Sequence, residues 1–230
     1  MDKFSELERF EKDIALSILF YRKKLDSGEL LPYDWIVKHF FKGIGIGFFM
    51  TCHENAIFQI YSKEFIETLA NQIKKLNPKK VIEVGAGDGR LSYFLNKHGV
   101  NSKPIDNHAW AKCEDDKNVV HITYPPEVEK IDYRNALRKY NPDLVILCWE
   151  ELSAKYTQKI LDYPSVKYVI WIGEHAGGCT GSEDTFMRYK NEELENDCCL
   201  CRTDHSFGGR NIHKHTGVYL FYPKVNKCEK

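Results

Sequence analysis

Apolar positions fall into successive patterns along the chain. From Ser5 to Lys24, residues Leu7, Phe10, Ile14, Ile18 and Tyr21 recur three and four apart, with Asp26-Ser27-Gly28 as a stop, and an amphipathic helix is expected there. Leu31-Pro32 to Cys52 is rich in aromatics without a clean period and reads as an irregular stretch. Its glycine run, Gly43, Gly45 and Gly47, lacks a clear strand before it and reads as a loop. Ser62 is placed to cap a second helix carrying Phe65, Ile66, Leu69, Ile73 and Leu76 on one face and ending near Asn77-Pro78.

Beyond Pro78, short apolar runs alternate with helical stretches, as in βαβ units. The runs are Val81-Ile82-Glu83-Val84, a weak one ending at Ile105-Asp106, a second weak one at Val128 to Ile131, Leu144-Val145-Ile146-Leu147, and Tyr168-Val169-Ile170-Trp171-Ile172. The near-continuous hydrophobicity of the last two suits parallel strands buried on both faces. Cys198 to Arg202 and Gly217 to Tyr222 flank Gly208-Gly209 and read as an antiparallel pair closing one sheet edge. The expected organisation is a helical extension or cap over 1–60 and an α/β domain over 61–230.

Composition narrows the function classes. Of 230 residues 43% are hydrophobic, with 13 Phe, 13 Tyr and 4 Trp, so the chain has the means to bury a core. Lys plus Arg (33) equals Asp plus Glu (33), which leaves no global field for a nucleic acid or an anionic membrane. Met1-Asp2-Lys3-Phe4-Ser5-Glu6 is too acidic for a signal peptide, and the apolar run His39 to Met50 is interrupted by Lys42 and too short to span a bilayer. A cytoplasmic location is expected, with the eight cysteines as reduced thiols.

The most informative segment is Val81-Ile82-Glu83-Val84-Gly85-Ala86-Gly87-Asp88-Gly89-Arg90-Leu91, a strand, a glycine-rich turn and the start of a helix. A dinucleotide fingerprint would need glycine where Arg90 stands, and Glu83 and Asp88 would repel a pyrophosphate. A cationic ligand suits this loop better. Glu83 followed by Gly85, Gly87 and Gly89 resembles the first motif of class I S-adenosylmethionine-dependent methyltransferases, and the resemblance extends from about Tyr61 to Pro223. It implies a Rossmann-like α/β fold: a seven-stranded, mostly parallel sheet with an antiparallel C-terminal strand, here with extra N-terminal helices. It also implies S-adenosyl-L-methionine as cofactor, held by Glu83, Gly85, Gly87, Asp88 and Gly89. Asp106, 21 residues beyond Gly85, falls where the family's ribose-binding acid would lie; Asp132 and Tyr133 fall at its adenine-edge position.

Residues after the strand ends are the candidates for chemistry. Cys148-Trp149-Glu150-Glu151 places Trp149 as a wall of the methyl-donor pocket, with Glu150 as a substrate-orienting acid or a helix N-terminal one. Glu174 and His175 open the loop after the next strand and are the candidate bases for deprotonating an oxygen or nitrogen nucleophile. The aromatic-amide signature of base-amine methyltransferases is absent after the fourth strand, and Tyr124-Pro125-Pro126 precedes the third strand. A small molecule or a protein side chain is therefore favoured as acceptor over nucleic acid. A non-catalytic binding module and a nucleic-acid methyltransferase stay open as alternatives. Cys198 and Cys201, with His205, His213, His215 and Cys228 downstream, could supply zinc ligands, but Cys199 interrupts the pattern, no second C-x-x-C exists, and no metal is expected.

Overall fold

A computed structural model describes residues 3–41, 46–111, 122–174, 178–206 and 212–224. Helix α1 (Lys3–Asp26) buries Ile14, Ile18, Tyr21 and Leu25. The stretch expected to be irregular instead forms α2 (Tyr33–Phe40) and α3 (Ile46–Glu54), with Gly47 inside α3; Gly43 and Gly45 lie outside the described residues. In α2, Ile36 and Phe40 are buried while Asp34 and Lys38 face solvent, and Phe40 and Phe41 pack on Phe48 of α3. After β1 (Gln59–Ile60), Ser62 caps α4 (Lys63–Leu76) by accepting a hydrogen bond from the Phe65 N–H at 3.1 Å.

Then come β2 (Val81–Val84), α5 (Arg90–Lys97), β3 (Ser102–Asp106), β4 (Glu129–Lys130), α6 (Tyr133–Tyr140), β5 (Leu144–Cys148), α7 (Tyr156–Leu161), β6 (Tyr168–Glu174) and α8 (Glu183–Arg188). The tail carries β7 (Asn191–Glu193), β8 (Leu200–Cys201), β9 (His205–Ser206), β10 (Ile212–His213) and β11 (Thr216–Phe221). Seven strands form one sheet in the order β4-β3-β2-β5-β6-β11-β7. Its first five strands are parallel and β11 runs antiparallel to both β6 and β7. This is the Rossmann-like class I methyltransferase fold that the glycine-loop resemblance implied.

The tail corrects the expected edge pair. The segment Cys198 to Arg202 does not pair with β11; β8 pairs with β1 instead, Gln59 opposite Cys201, and β11 inserts between β6 and β7. One core on the first face of the sheet joins Ile14, Ile18 and Tyr21 of α1 to Phe65 and Leu69 of α4 and Ile146 of β5. A second, on the other face, gathers Val145, Val169 and Trp171 with Leu137 and Ile160. Helices α1, α2 and α3 thus share a continuous core with the sheet through Ile18, Ile36 and Phe48. No helix among the described residues is long and apolar enough to cross a membrane.

Candidate active site

The strand order reverses between β2 and β5, and a ligand crevice belongs at the carboxyl ends of those strands. The chain leaves β2 through Gly85 at φ +69° and reaches α5 through Gly89 at φ +73°, backbone regions that side-chained residues avoid. The two serve different ends. A Cβ on Gly85 would meet no atom within 4 Å, whereas one on Gly89 would stand 2.6 Å from Val128 Cγ2. Gly89 is needed for packing, and Gly85 leaves its backbone bare against open space. Asp106, at the end of β3, fixes the loop: its carboxylate accepts from the Gly87 N–H at 3.0 Å and the His108 N–H at 2.7 Å. Glu83, Gly85, Gly87 and Asp106 line a cavity of about 580 Å³, within the range of cofactor-sized organic ligands.

The lining is acidic, with six carboxylates (Glu83, Asp88, Asp106, Asp132, Glu150, Glu151) against two guanidinium groups (Arg90, Arg202). Glu83 is buried; desolvation pushes its carboxyl up to about 7, against the hydrogen bonds from Ser92 and with the help of Asp88 and Asp106. Asp88, expected to face a cation, pairs with Arg90 and lies 3.9 Å from Arg22, while Arg90 also reaches Asp26 at 2.5 Å. That cluster ties α1 to the glycine loop and gives Asp88 cationic partners while it still lines the cavity. Asp132 caps α6, accepting from the Arg134 N–H at 2.9 Å, and lines the cavity. Beside it, the Tyr133 hydroxyl is buried without a hydrogen-bond partner in a residue that also lines the cavity.

Toward β5 and β6 the walls become aromatic. Trp149 holds φ +62° and donates from its ring N–H to Gln59 Oε1 at 3.2 Å; Phe58 lies 5.8 Å from both the Trp149 and Trp110 rings. Trp149 lines the cavity, and Phe58, Trp110 and Arg202 join it. The sequence reading missed these three. Phe58 and Arg202 arrive on the β1–β8 ribbon, whose strands are two residues long and 140 positions apart, so no local pattern announces them.

The two described candidate acids for chemistry are committed elsewhere. Glu150 accepts from the Thr157 N–H at 3.0 Å, the Thr157 hydroxyl at 2.6 Å and the Trp171 ring N–H at 3.1 Å. Its carboxyl is raised by burial, with those bonds opposing, and it serves the first turn of α7, the helix N-terminal alternative expected for it, while also lining the cavity. Glu174 is buried outside the cavity lining and accepts from the Cys179 N–H at 2.6 Å and from the Thr203 hydroxyl. Burial raises its carboxyl, but the Cys179 and Thr203 bonds and the nearby His215 outweigh this and hold it below the ordinary range. A carboxylate so satisfied is a weak base. His175 lies outside the described residues.

Among the described residues no group of three or more His, Cys, Asp or Glu is placed to hold a metal ion. Cys201 is buried in β8, where its Sγ lies 3.0 Å from the Thr203 hydroxyl; Cys228 is outside the described residues.

No protein-family model and no curated relative matches the chain. Among solved structures it is similar to the methyltransferase domain of bacterial CtHen1-CN, at 15% identity and a TM-score of 0.39 over 70% of this chain and 98% of that one. It is also similar to precorrin-6y C5,15-methyltransferase from Geobacter metallireducens, at 12% identity and a TM-score of 0.32 over 71% and 90%. The fold assignment rests on strand order and not on these similarities.

Proposed function

We propose that the protein binds S-adenosyl-L-methionine in this cavity and transfers its methyl group to an oxygen or nitrogen nucleophile of a small molecule or a protein side chain. The carrying observation is the bare Gly85 backbone facing open space beside the Asp106 carboxylate, a cradle that any side chain would fill. The donor set fits a cationic nucleoside ligand: Asp106 would hold ribose hydroxyls, Asp132 and Tyr133 the base, and Glu83 and the Gly85–Gly87 backbone the amino-acid end. When bound, the cofactor supplies an electrophilic methyl group on a sulfonium.

The chain's part is to align reactants and exclude water. Trp149, Phe58 and Trp110 wall the side of the cavity nearest β5 and β6. No histidine lines the cavity among the described residues, and Glu150 and Glu174 are committed. We assign proton abstraction from the nucleophile to His175, next in the chain to Glu174. A second reading, binding without turnover, is favoured by that same commitment of both acids. Incubation with methyl-labelled cofactor and separate small-molecule, protein and RNA fractions distinguishes them. Label entering small molecules or protein, and lost in Asp106→Ala, supports transfer; label entering RNA alone overturns the acceptor class. Saturable binding with no label in any fraction supports the second reading.

A further inference from the structure

Arg202 is left unused by the cofactor. It follows β8, and its N–H donates to the Phe58 carbonyl at 3.1 Å, which extends the β1–β8 ribbon to the cavity wall. The guanidinium lies over the Phe58 ring at 4.2 Å, with Phe49 at 5.1 Å and Trp149 at 5.2 Å. Its Nη1 donates to His53 Nδ1 at 2.9 Å, so His53 presents that nitrogen as an acceptor. Nε is buried with no hydrogen-bond partner, and no described carboxylate forms an ion pair with the group. Glu174, on the neighbouring strand end, is already satisfied by Cys179 and Thr203. Glu174 acts on Arg202 through space but forms no ion pair with it, and a guanidinium taken partly out of water without a paired anion is a costly arrangement unless a ligand completes it.

We infer that Arg202 is the anion-binding residue of the acceptor subsite, and that the acceptor is a small aromatic carboxylic acid whose carboxylate meets Arg202 while its ring packs against the apolar wall formed by Phe58, Trp110 and Trp149. The inference rests on the methyl-transfer reading for the word acceptor, but the carboxylate site stands on Arg202 alone. Three observations choose this class. The aromatic faces that would attract a cationic acceptor are occupied by the guanidinium, which repels a second cation. The carboxylates lining the rest of the cavity oppose a doubly charged phosphate, whereas a single carboxylate matches the planar fork of one arginine. The Trp110 and Trp149 rings, inclined to Phe58 by 73° and 52°, offer an aromatic ligand edge and face contacts.

The test is calorimetric titration of the full chain, saturated with S-adenosylhomocysteine, with benzoate, 4-hydroxybenzoate and indole-3-acetate, each beside its uncharged amide. At least one carboxylate is expected to bind, with its amide weaker by about tenfold or more. Arg202→Gln is expected to erase that preference. Arg202→Lys, which keeps the charge and loses the fork, is expected to weaken the carboxylate about tenfold. Both variants should hold S-adenosylhomocysteine as the wild type does, which also shows that they are folded. Equal binding of acid and amide, no binding of any acid, or a wild-type response from Arg202→Gln overturns the proposal. If S-adenosylhomocysteine itself does not bind, the cofactor reading fails. The same titrations on ligand-free protein, with thermal melts reporting the fold of each variant, then decide the Arg202 site by the same outcomes.

Discussion

Glu83→Gln removes a charge from the floor of the cavity and leaves an acceptor for the Ser92 N–H, which Glu83 Oε2 now binds at 3.0 Å. In the unfolded chain Glu83 ionises near the ordinary 4.5, and in the fold only at about 7, chiefly because it is desolvated. The folded state therefore holds the proton more tightly. The stability tied to Glu83 is whole below about pH 4.5, falls as pH rises through the interval, and levels off above about pH 7. At about 1.4 kcal/mol per tenfold difference in proton affinity, the full fall is about 3 kcal/mol. Urea unfolding of ligand-free protein should then show the variant matching wild type near about pH 4.5 and exceeding it by about 3 kcal/mol above about pH 8. In the same protein, cofactor binding should weaken by about tenfold or more, since a cationic group loses its buried partner. A variant less stable than wild type at the higher pH, or one with the same pH slope, would show that the ionised carboxylate is not a destabilising group and would refute the reasoning.

Gly85→Ala should cost about 1 kcal/mol from its positive φ and abolish cofactor binding, whereas Gly89→Ala adds a clash with Val128 and should cost about 2 kcal/mol or more; thermal melts and cofactor titrations check both. Glu150→Gln leaves part of the Thr157 and Trp171 donor set unmatched and should destabilise by about 1–3 kcal/mol with unchanged cofactor affinity. Unchanged stability with lost turnover would instead return Glu150 to the chemistry. His175→Ala should lower kcat by about a hundredfold or more and flatten its dependence on pH, with the cofactor KM unchanged; full kcat across the pH range removes His175 as the base.

The parallel strands were legible because β5 and β6 are buried on both faces and so carry near-continuous apolar runs. The glycine loop was legible because its acid, strand and helix stand in order, and Asp106 because its distance from that loop is fixed by one βαβ unit, Pro104 notwithstanding. Helices α2 and α3 were not, since at eight and nine residues each spans little more than two turns, and α3 is apolar over most of its length. Glu150 shows a different limit. An acid after a strand looks the same in sequence whether it serves a substrate or the next helix, and only Thr157 and Trp171 decide. Arg202 was invisible for a third reason: its meaning depends on Phe58, Trp149 and His53, all brought to it by long-range pairing.

The most direct measurement is calorimetric titration of wild type and Asp106→Asn with S-adenosylmethionine, S-adenosylhomocysteine and NAD. Saturable binding of the two sulfur ligands is expected, with no binding of NAD and an affinity about tenfold or more lower in Asp106→Asn, whose melting temperature should also fall because its amide accepts from only one of the Gly87 and His108 N–H groups. Failure of both sulfur ligands to bind, binding of NAD in their place, or an Asp106→Asn variant that binds as wild type does would contradict the cofactor site described above.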